Sequence, residues 1–337
     1  MTDRLRIFNR SGFEIASFQA SVSRSWAVGL EGRASFEYAS RKTNIVNEEV
    51  LRFGNYLLVE SDILPAWIGV IDTPRSWSKD AVTVNAYTLE RLFQYRRGAL
   101  EQKLTGSAGT IFGRMVNIIN AAEKTVLQIG TTWTGSVSRE ETLNPNTLER
   151  NLKSLQERSG EDYEFVPQIV NGRLVVFANW VQSLGVETPL TLLEGGNIEN
   201  ARMTEDDNII NDLLGYGDGA TWTSRPAAIT QDVQSIAKYG LRQDGKEWTG
   251  VSIISTIQNN NNEYFATRTK PRKIFDITAI DLGDTFSYLR LGNRVNVYLR
   301  NMGFLETGRG TQERTRILGM SYNPRQGDKI KLVLRDA

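Results

Sequence analysis

Any acid–base or nucleophilic chemistry in this sequence has to rest on Asp, Glu, Lys, Tyr or a Ser–Lys pair, because its 337 residues include no His and no Cys. That removes the commonest general base, the Ser-His-Asp triad, thiolate nucleophiles, disulfides and Cys–zinc sites. The acids cluster locally at Glu48-Glu49, Glu140-Glu141 and Glu205-Asp206-Asp207. A glycosidase needs two carboxylates converging on a cleft, often beside aromatic platforms. Adjacent acids in a strand point to opposite faces, and on a helix they diverge by about 100°, so each cluster reads as solvated surface. Asp206-Asp207-Asn208 lacks the spacing of an EF-hand loop. Gly215-Tyr216-Gly217-Asp218-Gly219 lacks the Lys-Ser/Thr and following helix of a phosphate loop, and reads as a loop between strands. Seven Trp are scattered, at Trp26, Trp67, Trp77, Trp133, Trp180, Trp222 and Trp248. Trp67 lies in an apolar strand and reads as core; the others read as interface or half-buried packing rather than sugar platforms. No catalytic, cofactor-binding or metal-ligating residue is assigned, and no cofactor is expected.

The bulk composition narrows the class further. The chain is long enough for two or three domains. It is 40% hydrophobic and 23% charged, with no apolar run near the length of a membrane span. Met1-Thr2-Asp3-Arg4 leads straight into a strand pattern without a signal-peptide apolar region. Forty basic against 39 acidic residues give a net charge of +1, without the basic block expected of a dedicated nucleic-acid binder.

The elements that would position these residues are organised around one stretch, Phe53 to Tyr87. Phe53-Gly54-Asn55 precedes an apolar strand (Tyr56 to Val59), then Trp67 to Ile71, a turn at Asp72-Thr73-Pro74-Arg75 and a strand Val82 to Tyr87. A similar order returns as Leu291-Gly292-Asn293, Arg294 to Leu299, Leu318 to Tyr322, a turn at Asn323-Pro324-Arg325, and Lys329 to Leu334. Gly69 stands five residues before Pro74 and Gly319 five before Pro324. The second copy is longer by a Gly-rich loop, Asn301 to Gln312. One β module is therefore expected twice.

Around it, residues 4 to 38 alternate as strands with a hairpin turn at Ser11-Gly12, and 43 to 52 suit a short helix. From about 100 the period changes: Ile111, Met115, Ile118, Ile119 and Ala122 make one helix face. Asn146 and Glu149 are placed as a capping box for a helix carrying Leu148, Leu152 and Leu155, stopped by Gly160. Asn171-Gly172 marks a hairpin between Tyr163–Val170 and Arg173–Phe177. Thr230 is placed as the cap of a short helix with Val233, Ile236 and Ala237 inward, and 251 to 265 as a longer helix. The predicted fold is α+β and mainly β. It has two β-barrel modules (1–95, and 195–250 with 271–337), an α+β insert (96–194), and a helix at 251–270 packing with the insert.

This layout resembles phage baseplate-hub proteins, the tail-tip hubs of contractile and siphophage tails, including late control proteins. The resemblance rests on Trp67-Ile68-Gly69-Val70-Ile71-Asp72, the strand Val82 to Tyr87, Leu89-Glu90-Arg91-Leu92 leading to Tyr95-Arg96-Arg97, the helix-then-hairpin order from Leu148 to Phe177, and Asp232-Val233-Gln234-Ser235-Ile236 with Tyr239-Gly240. It covers nearly the whole chain in order of elements. It implies two tail-tube-like barrels per chain and a homotrimeric, pseudo-sixfold ring adapting the sixfold tube to a threefold tip. The implied partners are the tail tube or distal tail protein ring, the tape-measure C-terminus, tip, spike or receptor-binding proteins, and DNA passing through the channel. The implied location is the virion tail tip or baseplate, after synthesis in the host bacterial cytoplasm. Ala337 directly follows the last module strand, so the expectation is a hub without an appended hydrolase or spike, and not an enzyme. Two alternatives stay open: a carbohydrate-active enzyme or lectin of the tail tip, and another tail-tip ring such as the distal tail protein, with one barrel per chain.

Overall fold

A computed structural model describes residues 3–39, 49–78, 81–135, 138–206, 208–248, 251–266, 268–305 and 308–336. The chain divides into two compact units, one from Met1–Arg202 with Phe275–Arg335 and one from Met203–Ile274.

The first unit begins with seven strands, β1 (Asp3–Phe8), β2 (Glu14–Ala20), β3 (Val22–Ala27), β4 (Arg33–Ala39), β5 (Tyr56–Glu60), β6 (Trp67–Trp77) and β7 (Ala81–Thr88). They lie side by side in the order β3-β4-β7-β6-β5-β1-β2. The apolar run of β5 is explained by burial on both faces. Phe8, Tyr56, Leu58, Ile68 and Val70 pack into one cluster with the helices that follow, while Leu5, Ile7, Leu57 and Val59 alternate with them and are also fully buried.

The chain runs on through α1 (Glu90–Gln94), at the end of the expected first module, and then through the stretch expected as the insert, with β8 (Lys103–Gly106), α2 (Ala108–Ala122), β9 (Leu127–Thr132), β10 (Arg139–Thr142), α3 (Leu148–Ser159), β11 (Asp162–Val170) and β12 (Arg173–Val181). The Ser107 side chain caps α2 by accepting from the Thr110 amide, and Ile111, Met115 and Ile119 are buried as their spacing requires. Thr147, not Asn146, caps α3 by accepting from the Glu149 amide, and Gly160 ends it at φ 68°. Asn144 explains the difference: its Oδ1 accepts from the Asn146 amide at 2.8 Å, so Asn146 belongs to the turn before the cap. Asn171 and Gly172 both have positive φ, 51° and 75°, and β11 pairs with β12 across them in the register the Asn-Gly signal predicts.

The chain continues through β13 (Glu187–Leu193) and β14 (Ile198–Asp206). The second unit then carries β15 (Asp212–Tyr216), β16 (Ala227–Gln231), α4 (Val233–Tyr239), β17 (Gln243–Glu247) and α5 (Ile254–Phe265), its three strands ordered β16-β15-β17. Asp232 caps α4 through the Ser235 amide, whereas the expected cap Thr230 is paired with Leu213 in β16. Val233, expected inward, is exposed. Gly215 lies within β15, where a Cβ would collide with Asn261. The chain returns as β18 (Arg272–Ile280), β19 (Arg294–Leu305), β20 (Gly308–Tyr322) and β21 (Lys329–Asp336).

These last strands repeat the first row. Their order is β14-β18-β21-β20-β19-β13, so β14, β18, β21, β20 and β19 stand where β3, β4, β7, β6 and β5 stand. β13 takes the place beside β19 that β1 holds beside β5, but runs parallel to its neighbour. It leads directly into β14 as β2 leads into β3, and β2 runs parallel to β5. The second copy thus omits β1 and keeps the strand before the corner.

No barrel closes among the described residues. Both rows belong to one sheet of 13 strands. In the first row the end strands β2 and β3 are separated in sequence by Ser21 alone, and Phe18 of β2 meets Phe36 and Tyr38 of β4 at 5.9 and 5.2 Å between ring centres. The row curls, with side-chain contact rather than a hydrogen-bonded ladder bringing its ends together. The expected loop over 301 to 312 is largely a continuation of β19 and β20 into a long hairpin. Residues 43–48 of the expected short helix, with Glu48, lie outside the described residues, as does Asp207.

Candidate functional site

The repeat is written in hydrogen bonds. Gly54 N–H donates to Ile71 O at 2.9 Å, Ile71 N–H to Asn55 O at 2.8 Å, and Asn55 N–H to Arg52 O at 3.2 Å. Gly292 N–H donates to Ile317 O at 2.8 Å, Ile317 N–H to Asn293 O at 2.9 Å, and Asn293 N–H to Arg290 O at 3.1 Å. The Asn side chains match as well. Asn55 Nδ2 donates to Val50 O, and Asn293 Nδ2 to Tyr288 O. Both glycines are left-handed, at φ 87° and 81°, a conformation an L side chain resists.

This frame corrects the alignment expected from sequence. Ile71 corresponds to Ile317, so Gly69 corresponds to Thr315 and Gly319 to Thr73. The matching Gly–Pro offsets are coincidental. Pro74 lies inside β6, where pairing with β7 slips between Asp72 and Ser76, while Pro324 opens a short 3-10 turn between β20 and β21.

The two copies are joined strand to strand. Gly319, Met320, Ser321 and Tyr322 of β20 pair antiparallel with Ala27, Trp26, Ser25 and Arg24 of β3. At the end of this ladder the fully buried Arg24 guanidinium donates twice to Asp3, at 2.5 and 2.9 Å. It also lies 5.4 Å from the Trp26 ring centre and 5.3 Å from that of Tyr322. Trp67 donates its indole N–H to Ser25 O at 2.9 Å.

Carboxylates are distributed as structural groups. Glu140 makes a surface ion pair with Lys103. Glu141, expected on the surface, is buried and bound by Arg158 and Asn151; strand alternation in β10 turns one acid out and the next in. Asp206 accepts from the Asn208 amide in a turn. No group of three acids able to hold a metal ion occurs among the described residues. A polar clasp joins β6 to α1. Arg91 donates to Asp72 at 2.7 Å and to Glu31 at 3.3 Å, and the Tyr95 hydroxyl donates to Asp72. Burial pushes the Asp72 carboxyl up, but the Tyr95 hydroxyl, the Thr73 amide and Arg91 outweigh it and hold the group below its usual range. Asp72 is thus held as a carboxylate against Arg91 and Tyr95, whereas burial outweighs Arg91 at Glu31 and pushes that carboxyl up.

Glu90 differs. It is 7% exposed and borders a cavity of about 210 Å3 together with Trp26, Trp67, Tyr163, Phe165 and Arg290. Burial pushes its carboxyl up to about 7, against opposing hydrogen bonds that include the Thr88 and Tyr163 hydroxyls. One carboxylate oxygen has no hydrogen-bond partner. In the unfolded chain Glu90 loses its proton near the ordinary glutamate value of 4.5, so above that pH folding loses stability until the folded group also ionises. Glu90 therefore adds a stability term that is full below about pH 4.5 and lost by about pH 7, on the order of 3 kcal/mol. Glu90→Gln should flatten this part of the pH–stability curve and raise the denaturation midpoint at pH 8. Curves that stay parallel from pH 4 to pH 8 would contradict the assignment.

Trp67 and Trp180 are core residues, and Trp26 and Trp248 are buried; Trp77, Trp133 and Trp222 are exposed. The exposed three lie apart in the sequence, and Trp222 stacks edge-on with Tyr216. No helix among the described residues is long and apolar enough to cross a membrane.

No protein-family profile matches the sequence, and no curated protein matches it. Solved structures do match by shape. The prophage tail protein gp18 from Listeria monocytogenes EGD-e superposes with a TM-score of 0.64 at 11% identity, covering 99% of this chain and 94% of that one. The chain shares the fold of that tail protein. The 43 kDa tail protein of prophage MuSo2 from Shewanella oneidensis gives a TM-score of 0.64 at 11% identity, with 98% of each chain covered. The E. coli c3393 protein, a component of the type VI secretion system with structural similarity to T4 bacteriophage tail proteins gp27 and gp5, gives 0.52 at 14% identity, covering 100% of this chain and 74% of that one. All three coverages run through both strand rows and the insert, as the layout resemblance implied.

Proposed function

We propose that this chain is the structural hub of a phage tail tip or baseplate, or of a related injection device. Three copies form a ring in which six strand rows, curled as tube-like barrels, surround a DNA channel. The observation that carries this reading is the duplicated frame. Two rows built on the same Gly–Asn turn are joined in line by the β3–β20 ladder, so three chains offer six similar surfaces to a sixfold tube. The likeness to prophage tail proteins supports the tail, and the likeness to a type VI secretion component supports the wider class of injection devices.

In this reading the work is done by shape and repetition, with no catalytic step. The insert sits outside the ring. One face meets the tail tube or distal tail protein ring and the tape-measure C-terminus, and the other meets tip, spike or receptor-binding proteins. A net charge of +1 suits a conduit, since a strongly basic lining would retain DNA. The protein resides in the virion after synthesis in the bacterial cytoplasm.

Mass measurement tests the ring. Three copies of the 37.9 kDa chain give about 114 kDa, and particle imaging should show three chains per tip. Six chains per tip would favour a distal-tail-type ring instead, and a monomer in solution and in the particle would overturn the proposal.

A further inference from the structure

One buried tryptophan has an indole N–H to spare. Trp67 donates to Ser25 O, Trp180 to Glu161 and Trp248 to Asn261. Trp26 is 8% exposed, and its Nε1 has no hydrogen-bond partner in the chain. A buried indole N–H ordinarily finds one. Trp26 lines the same cavity of about 210 Å3 as Glu90. The Thr88 and Tyr163 hydroxyls hydrogen-bond to the Glu90 carboxyl, yet its Oε2 is unpartnered as well. One cavity within the first unit therefore carries a free donor and a free acceptor, each on a side chain more than nine-tenths buried. The remaining wall is mostly apolar, with Trp67, Ile68 and Met320 buried and Phe165 half-buried. Leu30 and Arg290, which also line it, are exposed and mark its mouth.

We propose that this cavity binds a small aromatic alcohol, a single ring bearing one hydroxyl, which donates to Glu90 Oε2 and accepts from Trp26 Nε1. The site is independent of the ring reading, since every group in it belongs to one chain. Size favours a single ring. An engineered apolar cavity of about 150 Å3 takes benzene, and drug-sized sites begin near 300 Å3. Polarity selects the hydroxyl, which is donor and acceptor at once. An ammonium group would donate to Oε2 and leave the indole N–H unpaired. A carboxylate would accept from the indole and face the Glu90 oxygen with like charge. A bare hydrocarbon ring would fill the space and satisfy neither group, each of which is costly to leave unmade in an apolar site.

Phenol is the probe, with toluene, benzylammonium and benzoate as controls of similar size. Each is titrated into the 15N-labelled full chain at pH 7, and the Trp indole N–H resonances are followed; the Trp26 signal is the one missing in Trp26→Phe. Phenol should shift that signal saturably and bind at least about tenfold more tightly than toluene, the worth of one to two net hydrogen bonds. Trp26→Phe keeps an aromatic wall but removes the donor. It should bring phenol down to the affinity of toluene, read there from the remaining indole signals. Glu90→Gln retains a carbonyl oxygen at the site and should keep most of the preference, whereas Glu90→Leu should lose it. Glu90→Leu also carries the test if Trp26→Phe loses toluene binding through collapse of the cavity. Equal affinities for phenol and toluene in the native chain, or tighter binding of benzylammonium or benzoate, would overturn the proposal. So would a phenol preference that survives both Trp26→Phe and Glu90→Leu. Absence of any saturable shift up to the solubility of phenol would show that water alone satisfies the two groups, and would overturn it too.

Discussion

Asp3→Ala should destabilise the first unit by about 3–5 kcal/mol, the cost of leaving a buried charge uncompensated. Arg24 carries that charge. Its side chain and that of Asp3 are both 0% exposed, and two hydrogen bonds join them. The Arg24 Nε already lacks a partner, so the site has little slack. Arg24 also stands at the last rung of the β3–β20 ladder, opposite Tyr322, so solvating it would loosen the seam between the rows. Replacing both partners, as Asp3→Ala with Arg24→Met, should recover most of the loss, because an apolar pair removes the desolvation penalty together with the attraction. Denaturant unfolding measures both variants. A loss below about 1 kcal/mol for the single variant would show that water reaches the guanidinium and that the pair does not hold the seam.

Gly292→Ala should cost more than about 3 kcal/mol, and its structural counterpart Gly54→Ala only about 1–2 kcal/mol, the usual penalty of a left-handed L residue. The two positions share φ, hydrogen bonds and place in the repeat, but not surroundings. A Cβ on Gly54 would meet the Arg10 guanidinium, the end of a flexible side chain that is 57% exposed and can swing aside into water at the cost of its surface bonds to Glu123 and the Phe53 carbonyl. A Cβ on Gly292 would lie 2.4 Å from the Leu184 carbonyl carbon and oxygen, and one on Gly185 would lie 2.0 Å from the Gly292 carbonyl carbon. Two glycines thus stand backbone to backbone where the insert passes into β13, and Asn293 Oδ1 ties the seam by accepting from the Val186 amide at 3.0 Å. Relief requires moving main chain, which adds an overpacking cost to the φ penalty. Equal losses in the two variants would show that the Leu184–Gly185 strand end yields freely.

The contrast also explains why one turn was easier to recognise than its consequences. Gly-Asn before an apolar strand is a local signal, and it marked both copies correctly. Whether that turn lies against open surface or against another backbone depends on Gly185, more than 100 residues away in sequence.

Much of the local structure was legible for the same reason. The α2 stripe, the Gly160 stop and the Asn171-Gly172 hairpin each depend on residues within one or two turns of each other. The absence of His and Cys excluded whole reaction classes before any strand was placed. Where neighbours compete locally, the signal failed: Asn146 lost the α3 cap to Thr147, and Thr230 lost the α4 cap to Asp232, because the adjacent turn or strand had already claimed the expected capping residue.

Only the tertiary structure decided how the repeat aligns and what joins its copies. The Gly–Pro offsets suggested Gly69 with Gly319, whereas the ladder sets Ile71 with Ile317. A slip after Asp72 in β6 and the extended β19–β20 hairpin change spacing without changing residue type, so no count along the chain detects them. Burial of Glu90 and Glu141 was likewise invisible, since alternation tells which residues share a face and not which face another element covers. Composition and periodicity are short-range properties and determined the class, the elements and the presence of two modules. Pairing between Ser321 and Ser25, nearly 300 residues apart, is set by which edges meet in space, and that alone made two similar meanders into one continuous sheet.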